Sequence, residues 1–242
     1  LWTLFLTRPR KSICPGSEMP LLTDILIRPA RGAARLRDNP RWLSALLILA
    51  SLSVLVEIFT QSYSSSLMLA SLPPSAEDKA RILDEIRGGM ALRAAFLPVR
   101  LVSGWLTFSL LILLVSRSLL ETGRVRFLQV FSLEVHSEAV LLLGKVAALV
   151  NLLVYPASGH RLLVPFSAAC FAGAGDYSIF SFLNAMNVFT LWYALLLSVG
   201  ISAISGAPWW RGAVIGFSTC ALWITLNVCL IRLVQENLHM VP

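Results

Sequence analysis

Charge is what this sequence has least of. Asp, Glu, Lys and Arg make up 14% of its 242 residues, against 57% hydrophobic residues and a mean hydropathy of +0.75. A soluble domain carries about 25% charged residues, because a water-facing surface needs them. This chain cannot cover such a surface, so its excess apolar area must face lipid. Catalytic signatures are missing too: there is no HExxH, no GxSxG and no Walker loop, and no nucleophile and base can be assembled at matching depth. The four cysteines, Cys14, Cys170, Cys220 and Cys229, form no CxxC and no Cys/His cluster, so neither a metal nor a cofactor is implied. Cys220 and Cys229 lie in an apolar stretch, where a free thiol behaves as a small hydrophobe. The formal charge of +7 is concentrated near the N-terminus, which points to an anionic membrane surface and sets nucleic acid aside.

What is present is a series of apolar runs long enough to cross a bilayer. They predict an all-α, polytopic integral membrane five-helix bundle over 42–233, with spans at about 42–60, 98–115, 137–156, 182–204 and 212–233. Residues 1–18 lack the ordered regions of a signal peptide and are expected to form a tail, Met19 being the more natural start. A basic, Pro-punctuated interfacial segment, 19–41, places Arg28, Arg31, Arg35 and Arg41 among Ile25, Leu26 and Leu36. It suits an amphipathic helix on the inner leaflet touching lipid headgroups, or a plain positive-inside anchor. Between the first two spans, Pro73-Pro74 followed by Ser75-x-x-Asp78 reads as a capping box opening a helix to Ile86, with Gly88-Gly89 ending it. Residues 234–242 form a C-terminal tail.

Five spans put the termini on opposite sides. With the N-terminus in the cytoplasm, twelve Lys and Arg residues fall on the inner side. Six (Lys79, Arg81, Arg87, Arg93, Arg161 and Arg232) fall outside. The excess of inner positive charge predicts N-in, C-out.

Charges inside spans cost about 2.5–3.5 kcal/mol each at mid-bilayer, so each needs a reason. Glu57 and Arg100 come to similar depth in antiparallel neighbours, which predicts a salt bridge in preference to a transport site. Glu134, Glu138 and Lys145 share one face of the third span. The two carboxylates are expected at the inner interface, where solvation is cheap, and His136 beside them is expected to be solvated. Lys145 lies near mid-span, where it would snorkel, pair with a carboxylate of a neighbouring helix, or contact a partner subunit. Packing signals are plainer: Ala194, Ser198, Ser202 and Gly206 recur every fourth residue in span four, and Gly212-x-x-x-Gly216 leads to Cys220 in span five. Matching small-residue stripes predict a tight hairpin of the last two spans.

Three stretches carry a family likeness: Ile27-Arg28-Pro29 with Asn39-Pro40-Arg41-Trp42; Thr122 to Phe131; and Asn187-Val188-Phe189-Thr190-Leu191-Trp192 with Gly200-Ile201-Ser202-Ala203. Over most of 20–232 the chain resembles the Yip1-domain membrane proteins, bacterial members in particular. It departs from them at Asn187, where aspartate is expected, and at the polar His136-Ser137-Glu138. The resemblance implies five helices, a cytoplasmic N-terminus and a non-enzymatic role. Eukaryotic relatives act in vesicle traffic, whereas bacterial relatives are associated with ABC-type export systems. The expected function is therefore an accessory or structural subunit of a larger complex in the bacterial cytoplasmic membrane, with the lipid bilayer and other membrane subunits as partners. A small transporter using Glu57, Arg100, Glu134, Glu138 and Lys145 along an aqueous path and a membrane-shaping or lipid-interacting protein are the alternatives; Asn187 is a further candidate polar contact within the membrane.

Overall fold

The computed structural model describes residues 19–71, 76–120, 125–154, 167–171 and 177–238. The tail 1–18, Ser75 of the expected capping box, and most of the loop 157–178 lie outside them. Eight α-helices are described: α1 (Met19–Ile27), α2 (Pro29–Asp38), α3 (Leu43–Ser71), α4 (Ala76–Leu119), α5 (Phe127–Val154), α6 (Tyr177–Ala185), α7 (Val188–Ser205) and α8 (Trp209–Leu238). Five of them, α3, α4, α5, α7 and α8, are long and apolar enough to cross a membrane.

The spanning helices alternate in direction, so one end of the bundle gathers the starts of α3, α5 and α8 and the ends of α4 and α7. The helix pair α1–α2 packs onto this end against α5 and α7. Helix α5 is the axis, in contact with α1, α2, α3, α4 and α7. In α5 and α7, 44% of the apolar window is buried, against 17% in α3 and 22% in α8. Thus α5 and α7 form the interior, while α3 and α8 turn wide apolar faces outward. One cluster joins Leu36, Ile112, Leu133, Leu197, Ile201 and Ile215; a second joins Leu49, Trp105, Phe131 and Val135 between α3, α4 and α5.

Several boundaries differ from those expected. The segment 19–41 holds two short helices packed onto the end of the bundle, where the sequence suggested one. Leu21, Ile25, Ala33 and Leu36 are buried, because the apolar side chains find a protein surface formed by α5 and α7. Helix α4 runs unbroken through Gly88 and Gly89 and contains Pro98. Two glycines cost only about 1 kcal/mol each in a helix, too little to stop one that continues into an apolar span. The third span starts ten residues earlier than expected, at Phe127, because its polar first turns are enclosed by neighbouring helices. The fourth is interrupted: α6 ends at Ala185, and α7 begins at Val188 behind an Asn187 cap.

Candidate functional site

The first half of α5 carries the concentration of polar groups, and the fold encloses it from Gln129 onward. Every residue from Gln129 to Val140 is buried. A helix end buried in this way must find partners for its polar side chains, and α5 finds them locally and on α1–α2. Gln129 Nε2 donates to the Arg37 carbonyl at 2.7 Å, while its Oε1 accepts from the Arg126 N–H at 2.9 Å. Ser132 Oγ donates to the Arg41 carbonyl at 2.9 Å. These bonds tie both ends of the α2–α3 connection to the axis. His136 Nδ1 lies 2.7 Å from the Ser132 carbonyl, and Ser137 Oγ donates to Leu133 at 2.8 Å, each one turn back along the helix.

Glu134 and Glu138 sit one turn apart, 1% and 5% exposed. The expectation of two solvated interfacial carboxylates is corrected, as is that of a solvated His136, itself buried at 1%. The reason is that other spans enclose them, with α1–α2 packed over the end. Glu134 Oε1 accepts from the Tyr193 hydroxyl of α7 at 3.3 Å. Its Oε2 is buried with no hydrogen-bond partner, as are Ser53 Oγ, Ser109 Oγ and Ser116 Oγ. Glu138 hydrogen-bonds with Trp105 of α4 and meets Lys145 Nζ at 3.8 Å. Lys145 therefore pairs within its own helix, not with a neighbouring one. Seven residues are two turns, about 10.5 Å, and a long side chain that leans toward the helix N-terminus spans most of that gap.

Elsewhere the structure brings Arg100 Nη2 of α4 to 3.6 Å from Glu57 Oε1 of α3. Asn187 is a cap: its side chain accepts from the Thr190 N–H at 3.0 Å and donates to the Asn184 carbonyl at 2.9 Å. Helices α7 and α8 approach each other closely through their glycines. A Cβ at Gly212 would collide with the Ser198 carbonyl oxygen, and one at Gly216 with Ser198 Oγ and, at 2.8 Å, the Ala194 carbonyl. Gly206 does not join this stripe. A Cβ there would meet nothing, and its φ of +72° makes it the left-handed C-cap of α7, a conformation glycine adopts without penalty. Of the four arginines expected at headgroups, Arg28, Arg31 and Arg41 are exposed. Arg35 is turned inward to Asp24 at 2.7 Å.

Sequence reasoning passed over Tyr193 and Trp105. Their signal was depth: both lie well inside a span, whereas membrane aromatics with polar tips favour the interfaces. Among the described residues, no three His, Cys, Asp or Glu side chains are grouped to hold a metal ion.

An all-helical chain with five membrane-length helices, charges paired inside the bundle and a helical hairpin over one end is an integral membrane protein of the polytopic α-helical class. A family model, the Yip1 domain, matches residues 23–231, and the chain belongs to the Yip1 domain family. No curated protein and no solved structure matches it.

Proposed function

We propose that this chain is a non-catalytic scaffold that docks, as an accessory subunit, onto a larger complex of the bacterial cytoplasmic membrane, with its α1–α2 end in the cytoplasm. An ABC-type exporter is the complex that the bacterial family likeness favours. The observation that carries the reading is the enclosure of the polar axis. Glu134 and Glu138 are almost wholly buried, and Glu138 is committed to Lys145 within the chain. Such an interior holds a bundle together and does not line an aqueous path. The wide outward apolar faces of α3 and α8 supply surface for partner helices as well as lipid. Pull-down of the tagged protein from its native membrane in mild detergent, with mass spectrometry, tests this. A stoichiometric partner is expected. Recovery of the chain alone at several detergent strengths overturns the reading.

One observation favours the second reading, a small transporter: the unpartnered Oε2 of Glu134 in the bundle interior. Ion flux into proteoliposomes that is abolished by Glu134→Gln supports it, and equal flux with and without the protein removes it.

A further inference from the structure

The end of the bundle that carries α1 and α2 gathers positive charges, most of them without a carboxylate partner among the described residues. Two guanidiniums there have carboxylates: Arg35 with Asp24 at 2.7 Å and Arg37 with Asp38 at 3.6 Å. Six others, Arg28, Arg31, Arg41, Arg117, Arg126 and Arg211, form no ion pair with a described carboxylate. All but the half-buried Arg211 are exposed. They come from five separate places in the chain and converge because helices α3, α5 and α8 start here while α4 ends here. Farther along the bundle, Arg100 and Lys145 each meet a glutamate.

Two further features say what this face would take. The charges are held in place, because α1–α2 is anchored by buried Leu21, Ile25 and Leu36 and by the Gln129 and Ser132 hydrogen bonds. A fixed array loses less entropy on binding than a free basic tail. Immediately beside the charges lie exposed indoles and hydrocarbon. Trp209 and Trp210 are 72% and 54% exposed, Arg211 stacks over the Trp210 ring at 5.3 Å, and Leu43 and Leu47 follow Arg41 on α3. A ligand matching this face must carry a negative phosphate next to hydrocarbon. We infer that this end of the bundle is a binding face for anionic phospholipid, its guanidiniums on headgroup phosphates and its indoles at the carbonyl level of the bilayer.

Native mass spectrometry of the full chain, equilibrated in detergent with equimolar phosphatidylglycerol and phosphatidylcholine, reads the preference directly. Phosphatidylglycerol adducts are expected to exceed phosphatidylcholine adducts several-fold. A guanidinium near the surface is worth about 1 kcal/mol, roughly fivefold, so the R28Q/R31Q/R211Q variant should lose most of that preference. The Arg100→Gln control, at a paired site, should keep it. Equal adducts in the wild type, or an undiminished preference in the triple variant, overturn the inference. Replacing ammonium acetate by ammonium phosphate at equal ionic strength separates lipid from free phosphate. Unchanged lipid adducts support the lipid face, and their displacement assigns the site to inorganic phosphate and overturns it.

Discussion

Replacing Gly212 with alanine tests whether the α7–α8 hairpin is held by direct backbone approach. The added Cβ would collide with the carbonyl oxygen of Ser198, with Ser202 Cβ at 2.9 Å and the Ser202 nitrogen at 3.2 Å. Two of these obstacles are main chain, so no rotamer change relieves the clash and the helices must separate. Forced expansion of a packed contact costs about 1–3 kcal/mol. Against it stands the gain of about 0.5–1 kcal/mol from exchanging glycine for alanine in a helix. The net expectation for Gly212→Ala is a loss of about 1–2 kcal/mol. Gly104→Ala isolates the opposing gain, because a Cβ there, in the spanning part of α4, meets nothing within 4 Å. Both variants would be unfolded by SDS titration in mixed micelles, followed by far-ultraviolet circular dichroism. Gly104→Ala should match or exceed the wild type and Gly212→Ala should fall below it. If Gly212→Ala proves as stable as Gly104→Ala, close approach does not stabilise the hairpin and the packing argument fails.

Three other outcomes follow from the same geometry. Glu138→Gln strands the Lys145 ammonium inside the span at a cost of about 2 kcal/mol, between the values for exposed and buried pairs. Adding Lys145→Met should recover most of that loss in the same titration, and a double variant worse than the single would argue against the pairing. Gln129→Ala removes the bond to the Arg37 carbonyl, worth about 1 kcal/mol, and should speed tryptic cleavage after Arg37 and Arg41 in reconstituted protein; an unchanged cleavage rate means the tether does not hold α2. Asn187→Ala removes the α7 cap and should cost about 1 kcal/mol, while Asn187→Asp, which can still accept from Thr190, should cost much less. Thermal denaturation of the two in one detergent distinguishes them.

The small-residue stripes show how far pattern reaches. Gly212, Gly216, Ala194, Ser198 and Ser202 were legible as a packing surface because helical spacing alone puts them on matched faces. Gly206 has the same spacing and a different task. It stands one residue past the last turn of α7, and only the backbone shows it in the left-handed region. The pairing of Glu57 with Arg100 was likewise within reach of sequence, since the antiparallel order of two consecutive spans fixes their relative depth.

The polar face of α5 was not legible in the same way. Glu134, His136 and Glu138 near the start of a span read as interfacial, because solvation is the cheapest fate for a charge when nothing covers it. Their contacts are with other spans and with α5 itself, Glu134 with Tyr193 of α7 and Glu138 with Lys145, while α1–α2, a segment whose basic composition suited either a helix on the lipid or a plain positive-inside anchor, packs over the end. Its apolar side chains had two surfaces to choose from, the membrane and the end of the bundle, and hydropathy rates both alike. By itself, then, sequence determined the membrane as solvent and the number of spans, since a bilayer demands a fixed length of apolar helix and little else. Tertiary structure alone decided that α5 is the axis, that Lys145 turns back to Glu138, and that the carboxylates are sealed from water. Those outcomes depend on which helices meet, and the apolar pattern along one helix does not encode its neighbours.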